Sequence, residues 1–212
     1  MRINAVTILF ILLLQLPCMA QPASFKPIKD TKVFLDKFNT TTKSLTSIRS
    51  SFVQEKHLSA LEDKIISKGI FRYKKENKVR MEYTTPFNYL MVLNNGKMYI
   101  KDGAKVNKFD TQSNKMFRQI NDMLINTLNG NLIHSKEYSV KYYENESMYL
   151  IELTPLDKVL LELMNSIKIY IDKNKLIVSK IEITEKSGDF TLISFFEVQQ
   201  NTEIKDEEFI VK

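Results

Sequence analysis

Residues 69–103 read GIFRYKKENKVRMEYTTPFNYLMVLNNGKMYIKDG and decide the fold class. Val79, Met81 and Tyr83 alternate with charged residues, which predicts a strand with one apolar and one polar face. Asn94-Asn95-Gly96 predicts a hairpin turn, because Asn and Gly tolerate positive φ. The stretch therefore predicts three or four consecutive β-strands joined by tight polar turns, and it contains no set of catalytic residues.

Two segments outside this stretch have apolar residues at helical spacing. Residues 31–45 follow Asp30, which can cap a first turn, and residues 113–129 end before Gly130. The second segment has the wider apolar face, formed by Met116, Ile120, Met123, Leu124, Thr127 and Leu128 and widened by Phe117 and Ile125.

Alternating patterns predict further strands near 47–58, 65–73, 137–144, 147–154, 166–172, 175–185, 189–199 and 207–211. The segment Pro155 to Met164 is ambiguous, with one short helical turn as an alternative. Many strands separated by polar turns, together with two helices, predict an α+β protein. A sheet of this length is expected to curl or partly close.

The first twenty residues have the features of a secretion signal. Arg2 supplies a short positive region, and residues 3–16 are mostly apolar but shorter than the roughly 20 residues that span a bilayer. Cys18-Met19-Ala20 forms a cleavage site of the A-x-A type. The alternatives are an uncleaved anchor and lipidation on Cys18, which Pro17 disfavours.

We therefore expect a cleaved signal peptide at 1–20 and a single exported domain at 21–212, located in the periplasm. Cleavage removes one arginine and the only cysteine, which leaves 30 basic and 25 acidic residues and a net charge of about +5. Disulfides and cysteine chemistry are then excluded. The basic surplus fits an anionic membrane surface or an acidic partner protein better than nucleic acid.

The densest basic run is interpreted as a solvated hairpin tip, and it consists of Arg72, Lys74, Lys75, Lys78 and Arg80 with Glu76 between them. No nucleic acid is expected as a partner.

The sequence nominates no catalytic or metal site. Its two histidines, His57 and His134, are 77 residues apart, and no nucleophile elbow or glycine-rich phosphate loop is present. The acidic cluster Asp206-Glu207-Glu208 is interpreted as a solvated approach to a strand, and Glu144 and Glu146 as solvated turn residues. We expect no enzyme activity, no cofactor and no metal. A hydrolase whose site assembles only in space is kept as an alternative.

The predicted apolar faces are rich in methionine and aromatic residues, namely Phe71, Tyr73, Met81, Tyr83, Tyr89, Met91, Met116 and Met123. Two interpretations stay open at this point. The residues form an ordinary core, or they form a surface that adapts to variable apolar ligands, for which flexible methionines are suited.

Short motifs occur in a recognisable order along the mature chain. They are Phe52-Val53-Gln54, Gly69-Ile70-Phe71, Arg80-Met81-Glu82-Tyr83 before Pro86, Asn95-Gly96-Lys97, Leu153-Thr154-Pro155, and a closing strand entered through Asp206 with Phe209 inside it. In order and spacing they resemble the periplasmic outer-membrane lipoprotein carrier family, LolA, over nearly the whole mature chain.

The resemblance implies an open, incomplete antiparallel β-barrel with helices covering its mouth as a lid. An apolar cavity between sheet and lid would shield the acyl chains of lipoproteins. The implied partners are an inner-membrane ABC lipoprotein-release transporter and, where present, an outer-membrane lipoprotein receptor, and the carrier is expected to be a monomer. The alternative is a related periplasmic lipid or glycolipid carrier, or a lipoprotein sensor of the same fold.

The resemblance also assigns roles to individual residues. The sheet would line the cavity with Phe71, Val79, Met81, Tyr83, Met91 and Leu93, and the lid with Met116, Ile120, Met123 and Leu124. The family commonly has Lys-Arg-Pro where this chain has Lys74-Lys75-Glu76. Lys75 therefore stands in the place of the arginine that latches the lid, and it lacks the planar fork of arginine. Arg72 and Arg80 are the alternative latches.

Overall fold

A sheet of twelve antiparallel strands dominates the computed structural model, which describes residues 24–113, 118, 122, 125, 126 and 137–211. The strands are β1 (Lys26–Pro27), β2 (Ser47–His57), β3 (Lys64–Lys74), β4 (Lys78–Thr85), β5 (Tyr89–Asn94), β6 (Lys97–Asp102), β7 (Lys105–Asp110), β8 (Tyr138–Glu144), β9 (Met148–Pro155), β10 (Met164–Asp172), β11 (Val178–Glu185) and β12 (Phe190–Gln200). Helices α1 (Thr31–Lys43) and α2 (Lys158–Leu163) and a 3₁₀ helix (Asp206–Phe209) complete the described elements.

The order of strands in the sheet is β1-β8-β9-β10-β11-β12-β2-β3-β4-β5-β6-β7. The short β1 and the strand β7 form its two edges, so the sheet does not close on itself. The predicted class, an α+β fold with an open, incomplete antiparallel barrel, is confirmed. The hairpin predicted at Asn94-Asn95-Gly96 joins β5 to β6, and both Asn95 and Gly96 have positive φ, of 50° and 68°.

Helix α1 begins where the sequence predicted it and ends two residues earlier, at Lys43. The carboxylate of Asp30 accepts a hydrogen bond of 3.0 Å from the Val33 amide and so caps the first turn. Phe34 and Phe38 lie one turn apart on the buried face, and each is only 2% exposed. The ambiguous segment 155–164 forms α2, in which Leu160 is fully buried.

The strand predicted at 207–211 is wrong, because Asp206–Phe209 is a 3₁₀ helix. Two strands were not predicted at all. The edge strand β7 was not predicted because its side chains are mostly exposed and show little alternation of apolar and polar residues. The other edge strand, β1, is only two residues long.

Most of the helix predicted at 113–129 lies outside the described residues. Arg118, Asp122, Ile125 and Asn126 are described, and all four are helical. The predicted signal peptide and His134 also lie outside the described residues.

Two of the three apolar clusters of the described core lie on the same side of the sheet, which we call the inner face. The first cluster packs α1 and α2 against β8 to β11 and contains Phe34, Phe38, Tyr138, Ile151, Leu153, Leu160, Met164, Ile167, Ile169 and Ile171. The second cluster lies on β2 to β5 and contains Leu45, Phe52, Phe71, Tyr73, Val79, Leu93 and Ile125. Ile125, from the predicted second helix, therefore covers part of the inner face.

Gly69 permits the close packing of β2, β3 and β4. It pairs with Phe52 across β2 and β3, and a Cβ at this position would lie 2.8 Å from the Phe52 ring. The same Cβ would clash with the backbone oxygen of Glu82 on β4. Position 69 therefore has no room for a side chain, which gives a physical reason for the glycine of the Gly69-Ile70-Phe71 motif.

The opposite side of β2 to β5, the outer face, is also covered. Residues 203–211, the C-terminal segment, lie across it and bury Ile204 and Phe209 against Val92. The polar strand face predicted from Arg80 and Glu82 is therefore not freely solvated. Ion pairs join the strands to the segment, from Arg72 to Glu208 and from Lys78 to Asp206.

These ion pairs correct two interpretations. The basic run at 72–80 is not a solvated hairpin tip, because the side chains of Arg72, Lys78 and Arg80 are only 14%, 10% and 17% exposed. The acidic cluster at 206–208 belongs to a 3₁₀ helix and not to a strand approach, and although Asp206 and Glu207 are exposed, two of its three carboxylates form ion pairs. Asp206 pairs with Lys74 and Lys78, and Glu208 with Arg49 and Arg72.

An apolar cavity between helix α1 and the sheet

A cavity of about 100 Å³ lies on the inner face between the end of α1 and the sheet. Its described lining residues are Phe38, Thr41, Thr42, Leu45, Ile48, Ser50, Phe71, Val79, Met81, Met91, Leu176, Ile177, Val178, Ile181, Ile193, Phe195, Val198 and Gln200. Among these described residues no side chain is charged, and aliphatic and aromatic groups form most of the wall. Such a wall can hold hydrocarbon but offers no partner to an ion.

Strand alternation explains the composition of this wall. Ile48 and Ser50 on β2, Phe71 on β3, and Val79 and Met81 on β4 all point to the inner face, while the residues between them point outward. The last turn of α1 covers this part of the sheet. Residue spacing within each strand therefore sets which side chains lie on the side of the sheet that holds the cavity.

The cavity lies where the sheet begins to divide. The pairing of β11 with β12 ends at Lys180 and Ser194, although both strands continue beyond these residues. A more open cleft of about 420 Å³ occupies the gap. Ile177, Val178, Phe195 and Val198 line both the cavity and the cleft. The cleft therefore adjoins the apolar cavity along these four shared residues, and we call it the side cleft.

A β-bulge shapes the wall of the side cleft. The pairing of β12 with β2 shifts register between Phe196 and Gln199, so that Glu197 and Val198 are both placed opposite Ser50. Glu197 has a φ of 52°. Bulges of this kind bend a strand and redirect its side chains. Here the bend brings Val198 into the cavity wall.

The structure places four of the sheet residues predicted from the sequence, Phe71, Val79, Met81 and Met91, in the cavity wall. Leu93 is buried in the second cluster and is not among the lining residues. The four predicted lid residues Met116, Ile120, Met123 and Leu124 lie outside the described residues.

Tyr83 also lies beside the cavity and not in its wall. Its ring packs edge-on against Phe52, with 5.0 Å between ring centroids, and its hydroxyl donates a hydrogen bond of 2.9 Å to the side-chain oxygen of Gln54. Burial raises the pKa of Tyr83 to about 12, so this hydroxyl stays neutral. Tyr83 therefore supports the fold beneath the cavity.

Lys75 contacts the end of α1. Its Nζ donates a hydrogen bond of 3.2 Å to the backbone oxygen of Lys43, the last residue of the helix. Its backbone amide donates to the Thr46 oxygen at 2.8 Å. Arg72 and Arg80 point to the outer face, where they contact Glu82 and Glu208, so they do not take the place of Lys75.

Sequence reasoning did not nominate the far wall of the cavity. Ile181 on β11 and Ile193 and Phe195 on β12 complete the lining. The alternation of isoleucines along β11 was a usable signal. The contact itself depends on the sheet curving so that β11 and β12 face α1, which no local pattern records.

His57 takes part in a surface contact. Its ring stacks on Phe190 with 4.1 Å between centroids, and its Nε2 lies 3.5 Å from a Glu55 carboxylate oxygen. Within the described ranges, no group of three or more His, Cys, Asp or Glu residues could hold a metal ion. None of the helices in those ranges is long and apolar enough to cross a membrane.

The fold and the cavity define a class of protein, an open antiparallel sheet that encloses apolar space beneath a helix. The family model of the outer membrane lipoprotein carrier protein LolA matches residues 43–212. The chain belongs to this family. Proteins of the family are binding and carrier proteins of the cell envelope, which supports a lipid- or lipoprotein-binding role for this chain.

Several solved structures are similar to the chain in outline. A LolA-superfamily protein from Nitrosomonas europaea has 11% identity and a TM-score of 0.46, with 84% of this chain and 96% of that chain covered. The MucA/MucB complex of Pseudomonas aeruginosa has 12% identity and a TM-score of 0.49, with 85% of this chain and 60% of that chain covered. LprF from Mycobacterium bovis has 12% identity and a TM-score of 0.38, with 84% of this chain and 96% of that chain covered. No curated protein matches the chain in sequence.

Proposed function

We propose that this chain is a periplasmic carrier that shields the acyl chains of lipoproteins and moves them from the inner to the outer membrane. The observation that carries the proposal is the apolar cavity, whose described lining contains no charge. Each exposed CH₂ group costs about 0.8 kcal/mol, so a lipid anchor with roughly 40 of them faces a penalty of tens of kcal/mol in water. A hydrocarbon-lined cavity removes that penalty.

The size of the cavity requires the carrier to open. About 100 Å³ is less than the roughly 150 Å³ of an engineered cavity that accepts benzene, and an acyl chain is longer than benzene. Two boundaries of the cavity are not sheet strands, namely the end of α1 from Thr41 to Leu45 and the turn from Leu176 to Ile177. Movement of either boundary would enlarge the cavity towards the side cleft.

Lys75 is the proposed latch for the end of α1. The 3.2 Å hydrogen bond from its Nζ to the Lys43 oxygen is exposed and single. The donor is a charged ammonium group, but its exposure to solvent limits the net contribution of this hydrogen bond to about 0.5–1.5 kcal/mol. A latch of this strength would hold α1 against the sheet and still release it when cargo enters.

The proposed partners follow from the family. An inner-membrane ABC lipoprotein-release transporter would load the carrier, and an outer-membrane lipoprotein receptor, where present, would unload it. The carrier would act as a monomer, without a cofactor and without catalysis. Transfer then requires only that each partner compete with the cavity for the same acyl chains.

Release of lipoproteins from spheroplasts tests the carrier function. Mature protein added to spheroplasts should release a triacylated lipoprotein into the soluble fraction. Ile193→Arg places a charge in the cavity wall and should abolish release. Leu192→Arg is the matched control, because Leu192 lies on the other side of the same strand between Glu55 and Glu182.

Three outcomes separate the candidates. Release that persists in Ile193→Arg would contradict the cavity as the binding site. Extraction of free lipid or glycolipid without lipoprotein would favour the alternative carrier. Recovery of a membrane regulator as the bound protein would favour a sensor.

Two substitutions test the latch. Lys75→Met keeps the aliphatic stem and removes the donor, and should increase amide hydrogen exchange at Ser44 and Leu45 by about threefold. Lys75→Arg restores a donor with a planar fork and should slow this exchange below that of the wild type. Equal exchange rates in the wild type and both variants would rule out a latch at Lys75.

A further inference from the structure

Ser50 carries an unpaired hydroxyl in the otherwise apolar cavity wall. Its side chain belongs to a residue that is 3% exposed, and among the described residues its Oγ has no hydrogen-bond partner. Buried hydroxyls are normally paired, so an exception requires an explanation. The position of Ser50 in the wall suggests that its partner comes from the ligand.

The other polar residues of the wall differ from Ser50. The Thr41 hydroxyl donates to the Lys37 oxygen at 3.1 Å, and the Thr42 hydroxyl donates to the Phe38 oxygen at 2.9 Å. Gln200 is exposed to solvent. Ser50 is therefore the one buried, unpaired donor in the described wall.

The location of Ser50 fits a ligand that enters from the side cleft. Ser50 lies on β2 directly opposite the bulge of β12, and the bulge residue Val198 lines both the cavity and the cleft. A polar group of the ligand would thus meet Ser50 near the side cleft. An attached alkyl chain could continue inward along Phe71, Met81 and Ile193.

The chemistry of the wall selects the group that Ser50 can bind. A carboxylate or phosphate would lose its hydration and find no positive side chain in the described lining. A plain hydrocarbon would leave the hydroxyl unpaired. A water molecule needs two to four polar partners, more than this wall provides. A neutral carbonyl oxygen accepts one hydrogen bond and brings an alkyl chain with it.

We propose that Ser50 donates its hydroxyl hydrogen to the carbonyl oxygen of an acyl ester or acyl amide bound in the cavity. The proposal rests on the proposed acyl-binding function and adds to it the chemical class of the group that is recognised. Ester and amide carbonyls occur both in lipoprotein anchors and in phospholipids, so the site alone does not choose between these sources.

Ligand displacement with Ser50→Ala tests the proposal. The mature protein is loaded with a fluorescent naphthylamine probe, which is then displaced by methyl palmitate or by hexadecane. Ser50→Ala should weaken the affinity for methyl palmitate by about three- to tenfold, the value of one hydrogen bond, and leave hexadecane unchanged. An equal loss for both compounds, or no loss for the ester, overturns the carbonyl site.

Ser51→Ala is the matched control. Ser51 is the next residue of the strand, and its hydroxyl donates to the Glu197 carboxylate at 2.9 Å on the outer face. Its removal should leave the affinity for methyl palmitate unchanged. A loss equal to that of Ser50→Ala would show that the effect comes from the strand and not from the cavity, and would overturn the proposal.

Thermal unfolding separates a ligand contact from a structural role. Ser50→Ala should keep or raise the midpoint, because it removes a buried hydroxyl that has no partner in the fold. A lowered midpoint together with reduced ester binding would indicate a structural role and contradict the proposal.

Two further competitors identify the source of the carbonyl. Displacement by a synthetic tripalmitoylated lipopeptide alone assigns the site to lipoproteins, and displacement by a dipalmitoyl phospholipid alone assigns it to free lipid. Failure of both, while methyl palmitate still binds, overturns the proposal. If the wild type binds neither methyl palmitate nor hexadecane, the acyl-binding function itself fails. If the wild type binds both compounds and Ser50→Ala binds methyl palmitate as tightly as the wild type does, only the Ser50 proposal fails.

Discussion

The two faces of strands β2 to β5 are built from alternate residues of the same chain segments, yet they are covered in different ways. The C-terminal segment, residues 203–211, lies on the outer face and is fixed there by ion pairs and by the buried Phe209. The inner face is covered by the end of α1 and retains a cavity. The C-terminal segment leaves an open cleft on the outer face lined by charged residues such as Arg72, Arg80 and Glu208, whereas the cavity on the inner face has no charged residue in its described lining.

The outer face shows what fixed covering requires. Side chains from the strands bind the backbone of the C-terminal segment as well as its carboxylates. Lys74 donates to the Ile204 oxygen at 2.8 Å, Arg80 donates to the Glu208 oxygen at 3.1 Å, and Asn94 donates to the Phe209 oxygen at 3.2 Å. Directional contacts of this kind hold a segment in one position.

The inner face has few contacts of this kind around the cavity. Met81 and Met91 are half-buried there, and flexible thioether side chains adapt to different neighbours. The described lining has no ion pair because it has no charged residue. Directional polar contacts therefore fix the covering of the outer face, whereas the described wall of the inner cavity is formed mainly by apolar side chains.

The largest expected effect comes from removing the residue that anchors the outer covering. Phe209→Ala should lower the free energy of unfolding by about 3–5 kcal/mol, because Phe209 is only 1% exposed and its loss leaves a cavity. Met91→Ala on the inner face should cost at most about 2 kcal/mol, since Met91 is half-buried beside an existing cavity. Urea unfolding measures the free energy of unfolding of both variants, and equal losses would contradict the difference between the two faces.

Added volume should distinguish the faces in the opposite way. Val92→Phe overfills a fully buried site on the outer face and should cost about 1–3 kcal/mol. Val79→Phe can place its ring in the cavity and should cost less than about 1 kcal/mol while weakening the binding of a fluorescent apolar probe. If Val79→Phe is the more destabilising of the two, the inner face is not the adaptable one.

A third prediction concerns the charge that holds the segment. Glu208→Gln removes a carboxylate that contacts Arg49 and Arg72, and should lower the free energy of unfolding by about 1–2 kcal/mol. Affinity for the apolar probe should not change, because the inner face carries none of these groups. A matching loss of probe binding would show that the two faces are coupled.

The smallest expected effect is a pH dependence from Asp206. Hydrogen bonds from Lys74 and Lys78 hold the pKa of Asp206 below its ordinary value of 3.8. Its stabilising contribution is therefore complete above about pH 5 and disappears as the pH falls below 3.8 towards the pKa of the folded state. Asp206→Asn should flatten this acid limb of a stability profile. An unchanged acid limb would place the pH dependence on other carboxylates.

The sequence predicted regular elements well where local patterns were strong. Alternation located the strands around Val79 and Met91, and Asn95-Gly96 located the hairpin between β5 and β6. It failed at β7, whose exposed edge position removes the apolar signal, and at Asp206–Phe209, where an acidic run forms a 3₁₀ helix. Phe209 sits inside that helix, and its burial depends on Val92, which lies far away in sequence.

The candidate site could likewise be predicted only where a local pattern was enough. Phe71, Val79, Met81 and Met91 could be nominated because each lies on the apolar side of a predicted strand. Tyr83 has the same alternation, but its hydroxyl binds Gln54 and its ring packs on Phe52 instead of lining the cavity. Alternation assigns a side chain to a face, and it does not say which residues on that face touch empty space.

By itself the sequence determined which residues lie on each side of each strand, because a strand repeats every two residues and turn residues mark its ends. Motifs in a recognisable order along the chain also indicated the family, which the match of the family model confirmed. Only the tertiary structure decided that the C-terminal segment covers the outer face and that the Ser50 hydroxyl lies unpaired in the wall of a cavity beside a bulge. Those facts depend on contacts between residues more than a hundred positions apart, which the curvature of the sheet brings together and no local pattern encodes.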